Sequence, residues 1–210
     1  MKRIICLMLA VIIMTAIAGA AAGEGWFPTW ENTPTPAPTM MPASSDSGFT
    51  FRNGIRWSMT PEDVRAAMGE TVQMEERSQE NWSVLYSVGR VEVSRFFADL
   101  VFIFRDRQLN MILYAFDRSE PQSSYTYLTG ALGSVYGENQ TAEASEVVAL
   151  MDMVYPGMYT ADGISGVNSW MAADGTRIYL YRQNGASFSV LYASPAAGLP
   201  TGGTYITNGL

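Results

Sequence analysis

Apolar residues between Phe49 and Ser194 recur at two periods, one of three to four residues and one of two. The first period marks helices and the second half-buried strands. Thr60-Pro61-Glu62-Asp63 predicts a helix start. Thr60 caps, Pro61 suits the first helical position, Asp63 completes a capping box, and both acids favour the positive end of the dipole. Met59 and Val64 stand where a hydrophobic staple sits, Ala67 and Met68 finish the apolar face, and Gly69 stops the helix. A second helix is expected over Gln122 to Tyr136, where Tyr125, Leu128, Leu132, Val135 and Tyr136 form one stripe before Gly137. A third covers Ala142 to Met153 and ends ahead of Pro156-Gly157.

The two-residue period gives the strands. Trp82, Val84, Tyr86 and Val88 alternate ahead of a turn at Gly89-Arg90. Val91 to Phe97, Leu100 to Phe104 and Leu109 to Phe116 follow, the last two separated by a turn at Asp106-Arg107-Gln108. Together they predict an antiparallel meander. Thr176 to Tyr181 and Ser187 to Tyr192, joined at Asn184-Gly185, predict a closing hairpin. The order is helix, strands, helix, strands, and each main helix ends in Gly-Glu, at Gly69-Glu70 and Gly137-Glu138. The expected fold is α+β: a small antiparallel sheet with helices on one face, compatible with a degenerate helix-plus-strands tandem repeat. Val64, Met68, Leu128, Leu132, Ile178, Leu180 and Val190 should share its core, with Trp57 at the edge.

The flanks carry other patterns. Lys2 and Arg3 precede an apolar run from Ile4 to Ile17, and small residues follow from Ala18 to Gly23. A basic start, an apolar stretch and an A-x-A site describe a secretory signal, assigned here to residues 1–22. Its alternative is an uncleaved anchor, because the apolar run approaches membrane-spanning length. Residues 23–48 alternate proline with small polar residues and read as a linker. Trp26, Phe27 and Trp30 near its start suit either a membrane interface or packing on a neighbouring surface. The domain is assigned to 49–194, and the Gly/Thr/Pro-rich stretch 195–210 to a flexible tail.

Composition narrows the chemistry sharply. Cys6 is the single cysteine, Lys2 the single lysine, and histidine is absent. Past the signal, the chain lacks His, Lys and Cys together. Ser-His and Cys-His nucleophiles, a Schiff-base lysine, disulfides and zinc sites built on His or Cys are therefore excluded. Eleven arginines then face 20 acids, a net charge of −9. Such a balance disfavours nucleic acid and anionic lipid as partners. No cofactor or metal is expected, and a membrane contact only through an uncleaved N-terminus.

Two sets of residues remain as candidate sites. Glu70, Glu75, Glu76, Glu80, Asp152, Asp162 and Asp174 lie near loops or element ends, and two of them brought close could act on a glycoside. No spacing singles out a pair. Asp162-Gly163 and Asp174-Gly175 lack the alternating ligands of a calcium loop and read as turns. The second set is Arg177, Tyr179, Tyr181 and Tyr192 on the closing hairpin. Tyr and Arg dominate binding hot spots, although tyrosines also pack well beneath helices.

The segment Phe49-x-Phe51-Arg52-x-Gly54-Ile55-x-Trp57-Ser58-Met59-Thr60-x-Glu62-Asp63-Val64 resembles the opening of many small exported bacterial proteins. The later Tyr136-Gly137-Glu138, Trp170, Asp174-Gly175-Thr176-x-Ile178-x-Leu180 and Val190-Leu191-Tyr192 agree with it. Together they are similar to the beta-lactamase-inhibitor-protein-like and outer-membrane-assembly-lipoprotein-like group. Ser58 replaces that group's usual glycine, and Glu143 to Gly166 looks like an insertion. The resemblance implies helices packed on a small sheet and a non-enzymatic role, and it transfers no catalytic residue. The expected function is an exported, non-catalytic interaction module binding a protein or a cell-surface polymer. The alternative is a small carboxylate-dependent hydrolase acting on wall or extracellular glycans.

Overall fold

A computed structural model describes residues 44–45, 48–79, 81–117, 122–184 and 187–198. All belong to one compact unit, Ala37–Leu210. The expected signal, Trp26, Phe27, Trp30, most of the expected linker, Glu80 and residues 199–210 lie outside the described residues. Among the described residues no helix is long and apolar enough to cross a membrane.

The helices form where local chemistry predicts them. α1 spans Pro61–Met68; Thr60 Oγ1 accepts from the Asp63 N–H at 3.2 Å, and Asp63 Oδ2 accepts from the Thr60 N–H at 3.1 Å. Gly69, at φ 68°, takes the left-handed position that ends it. α2 spans Gln122–Tyr136 and α3 Ala144–Asp152.

Nine strands make one antiparallel sheet: β1 (Met74–Gln79), β2 (Trp82–Ser87), β3 (Val91–Val93), β4 (Phe96–Arg105), β5 (Gln108–Phe116), β6 (Gln140–Thr141), β7 (Ile164–Met171), β8 (Arg177–Gln183) and β9 (Ser187–Ala193). Their order is β1-β2-β4-β5-β9-β8-β7-β6, with β3 also on β4. The order reads outward symmetrically from β5 and β9, whose central register is Leu113 opposite Leu191. Each half enters by a helix and ends on a central strand, the layout a tandem repeat of helix plus meander gives.

Two strand expectations are corrected, and two strands, β1 and β7, are not predicted from the sequence. The run Val91 to Phe97 is broken at Ser94, whose φ of 60° turns the chain, so Phe96 opens the ten-residue β4 that absorbs Leu100 to Phe104. β1 has one buried residue, Met74, and presents charged side chains elsewhere, as an edge strand does; its sequence carries no apolar alternation. β7 is interrupted by Gly166 at φ 57°, which hides its period. The closing hairpin pairs Gln183 with Ser187, so three residues connect its strands instead of a two-residue turn.

Side-chain alternation gives the sheet two buried faces. On one, α1 and α2 cover Ile178, Leu180, Val190, Phe102, Ile112 and Tyr192, and Val64, Met68, Leu128 and Leu132 join the same cluster. Trp57 packs at its margin, half-buried. On the other, Val147, Leu150 and Met151 of α3 pack with Ile103, Met111, Leu113, Tyr179, Tyr181 and Leu191. The expectation of helices on one face alone is therefore corrected. The segment from Glu143 to Gly166, read as an insertion, supplies a cover for the opposite face. Ala197 is also buried in that second cluster, so the start of the expected tail packs on the domain.

Candidate functional site

α3 covers only part of its face. Over β2 and the adjoining half of β4 no described residue covers the sheet as α3 does elsewhere, because no helix follows β1 or β2 on this side. Trp82, Val84 and Tyr86 alternate toward it from β2 and are all half-buried. Register places Gln79, Arg77 and Glu75 beside them from β1, and Arg105, Ile103 and Val101 from β4. Two positions beyond Val101 on the same face stands Asp99. Val154 and Tyr155, just past the end of α3, form the opposing wall. The resulting cleft measures about 700 Å³ and is lined by Arg77, Trp82, Val84, Tyr86, Asp99, Val101, Val154 and Tyr155, with Ser78, Gln79 and Ser87 at its margins. That size and mixture, an apolar floor with a few polar groups, is the usual anatomy of a binding site.

The aromatic floor is held by arginines. The Arg77 guanidinium lies 5.1 Å from the centre of the Tyr86 ring, and the Arg105 guanidinium 5.7 Å from that of Trp82. Such stacking restrains a long side chain without using its N–H donors. The Tyr86 hydroxyl donates to Glu75. Burial raises the Tyr155 hydroxyl above its ordinary pKa, Tyr159 adds to the rise, and the positive charge of Arg77 pulls the other way. Arg77 thus stands between two phenols. Among the described residues no carboxylate lies within ion-pair reach of Arg77, and no cation within reach of Asp99.

The hairpin residues singled out by sequence lie elsewhere, and they do not form one surface. Tyr179 and Tyr181 are 1% and 0% exposed, beneath α3. The Tyr179 hydroxyl donates to Glu146 Oε2 at 3.0 Å; burial first, then the Glu146 charge, push it up to about 12. Tyr192 pairs with Ile178, so the pleat turns it to the opposite face, 5.5 Å from the Phe49 ring and 5.7 Å from Phe51. Arg177 is half-buried on the Tyr179 side. As binding candidates the three tyrosines are corrected, since covering both faces of β8 and β9 leaves them no solvent.

The acids are dispersed as well. Glu76 pairs with Arg65 at 3.2 Å, Asp152 accepts from the Gly157 N–H at 2.6 Å, and Asp162 sits in a single 3₁₀ turn. Asp174 Oδ2 accepts from the Phe49 N–H at 2.9 Å and the Thr176 hydroxyl at 3.1 Å, while Oδ1 accepts from the Thr176 N–H at 3.0 Å. Burial alone would raise its carboxyl, but these donors together outweigh that and hold it below the ordinary 3.8. Among the described residues no group of three or more acids, histidines or cysteines is placed to hold a metal.

The cleft residues were legible only as a strand. Trp82, Val84 and Tyr86 show the alternation of a core face, and sequence gives no sign that their half of the sheet lacks a covering helix. The one usable signal is Arg77 and Glu75, charges alternating toward the same face. No family model, curated protein or solved structure matches the chain.

Proposed function

We propose that the protein is an exported, non-catalytic interaction module of the cell envelope or extracellular space, and that it binds a protein or surface polymer in the cleft above β2. The signal pattern at residues 1–22 supports export. The observation that carries the binding reading is the half-covered floor of Trp82, Val84, Tyr86 and Val101 beside Arg77, which has no ionic partner among the described residues. Trp, Tyr and Arg are the side chains that dominate binding energy at interfaces, since each contributes large contact area with a polar handle. A sheet needs its apolar face covered for stability, and among the described residues nothing covers this half.

Blocking the floor tests the reading. Immobilised mature protein should recover its ligand from native envelope extract, and Val84→Arg should lower recovery at least about tenfold. Met171→Arg, at an exposed position outside the cleft, should leave it unchanged. Equal recovery by Val84→Arg and wild type would overturn the assignment.

A further inference from the structure

The two charged residues that line the cleft, Arg77 and Asp99, are opposite in sign and stand at different levels along it. Arg77 stands beside Val84, and Arg105, within ion-pair reach of Asp106 at 3.9 Å, beside Trp82. Glu75 stands beside Tyr86 and Asp99 beyond Val101. Arg77 and Asp99 are both exposed and, among the described residues, both without an ionic partner. A surface so arranged complements a ligand that carries the opposite pair in the opposite order.

The apolar floor beside those charges is long and regular. Along β2 the side chains of Trp82, Val84, Tyr86 and, just beyond the strand, Val88 follow one another at every second residue. At about 3.3 Å per residue that row runs roughly 20 Å. Its far end remains open, with Val88 50% and Phe97 51% exposed. An extended polypeptide presents side chains to one side at the same two-residue interval. Its repeat therefore matches that of the floor.

We infer that the cleft binds an extended polypeptide segment of about seven residues, with a carboxylate at Arg77, a cation about four residues further along at Asp99, and apolar side chains over Trp82 and Tyr86. The inference rests on the cleft reading above and names its partner. Stacking on Tyr86 holds the Arg77 guanidinium near its position before the carboxylate arrives, so less side-chain freedom is lost on binding. A charge-assisted bond from a preplaced arginine is the strong kind, and it sets the direction in which the segment lies.

The test is calorimetric titration of the mature protein with the peptide Ac-VTETFTK-NH2. Its Val, Glu, Phe and Lys side chains fall on one side over about the length of the row, with Glu and Lys as far apart as Arg77 and Asp99. Saturable binding is expected, about tenfold or more tighter than for the neutral Ac-VTQTFTQ-NH2. Arg77→Glu should abolish that preference; Arg56→Glu, an exposed arginine outside the cleft, should preserve it. Asp99→Lys repeats the test from the other end. Absence of saturable binding, equal affinity for both peptides, or a preference that survives Arg77→Glu would overturn the inference. Saturable binding of chitohexaose without peptide binding would also overturn it, assigning the cleft to a polysaccharide. In that outcome recovery from envelope would still depend on Val84, so the proposed function would stand while its polypeptide partner fell.

Discussion

The indole N–H of Trp57 donates to the hydroxyl oxygen of Thr176 across 2.7 Å, joining segments 119 residues apart. The Thr176 hydroxyl donates in turn to Asp174, which also accepts from the backbone N–H of Phe49. The Phe49 ring closes the circuit by stacking on Trp57, 4.8 Å between centres and 12° from parallel. The opening motif of the first half is thereby tied to the start of the last hairpin, and the chain enters the domain in one fixed direction.

Removing the centre of that circuit should be costly. Thr176 is fully buried, so Thr176→Val leaves the Trp57 donor and the Asp174 acceptor short of a partner. A loss of about 1–3 kcal/mol is expected in denaturant melts. Trp57→Phe removes the same bond from its other end and also forfeits ring contact. The double variant should therefore lose less than the sum of the singles. Strict additivity would show that the bond contributes nothing.

Asp174 makes the same circuit pH-dependent. Its native carboxyl lies below the ordinary 3.8, so the stability it contributes is fully present above about pH 4 and is lost as pH falls through the lowered native value. The stability difference between wild type and Asp174→Asn should be constant near neutrality and shrink on acidification below about pH 4. A difference that widens there would contradict the assignment.

The two-faced core predicts that helices on both sides matter. Leu132→Ala on α2 and Leu150→Ala on α3 should each cost about 2–5 kcal/mol, since both side chains are fully buried. Met158→Ala, at a residue 74% exposed, should change little. A silent Leu150→Ala with a costly Leu132→Ala would mean that α3 does not share the stability of the sheet.

What sequence disclosed of this fold follows from where the physics is local. Thr60, Pro61, Asp63 and Gly69 define α1 without help from distant residues, and the Leu128–Leu132 stripe does the same for α2. The seven residues expected in one core do share it, because helix and strand periods both name an inward face. β1 was illegible because an edge strand carries charge where a central strand carries apolar residues. The tyrosines of β8 and β9 were ambiguous because alternation separates two faces but does not say which one a helix covers. Only the position of α3 resolves that, and it decides both that Tyr179 is core and that Tyr86 is half-open.

The claim that the cleft above β2 is where the protein meets its ligand is tested most directly by site-specific photo-crosslinking in the producing cell. A benzophenone side chain at Tyr86 or Val101 lies within the cleft, while one at Met158 or Met171 lies outside it. The account predicts a discrete adduct from positions 86 and 101 and none from 158 and 171. Adducts from the outer positions alone, or from all four without distinction, would contradict it.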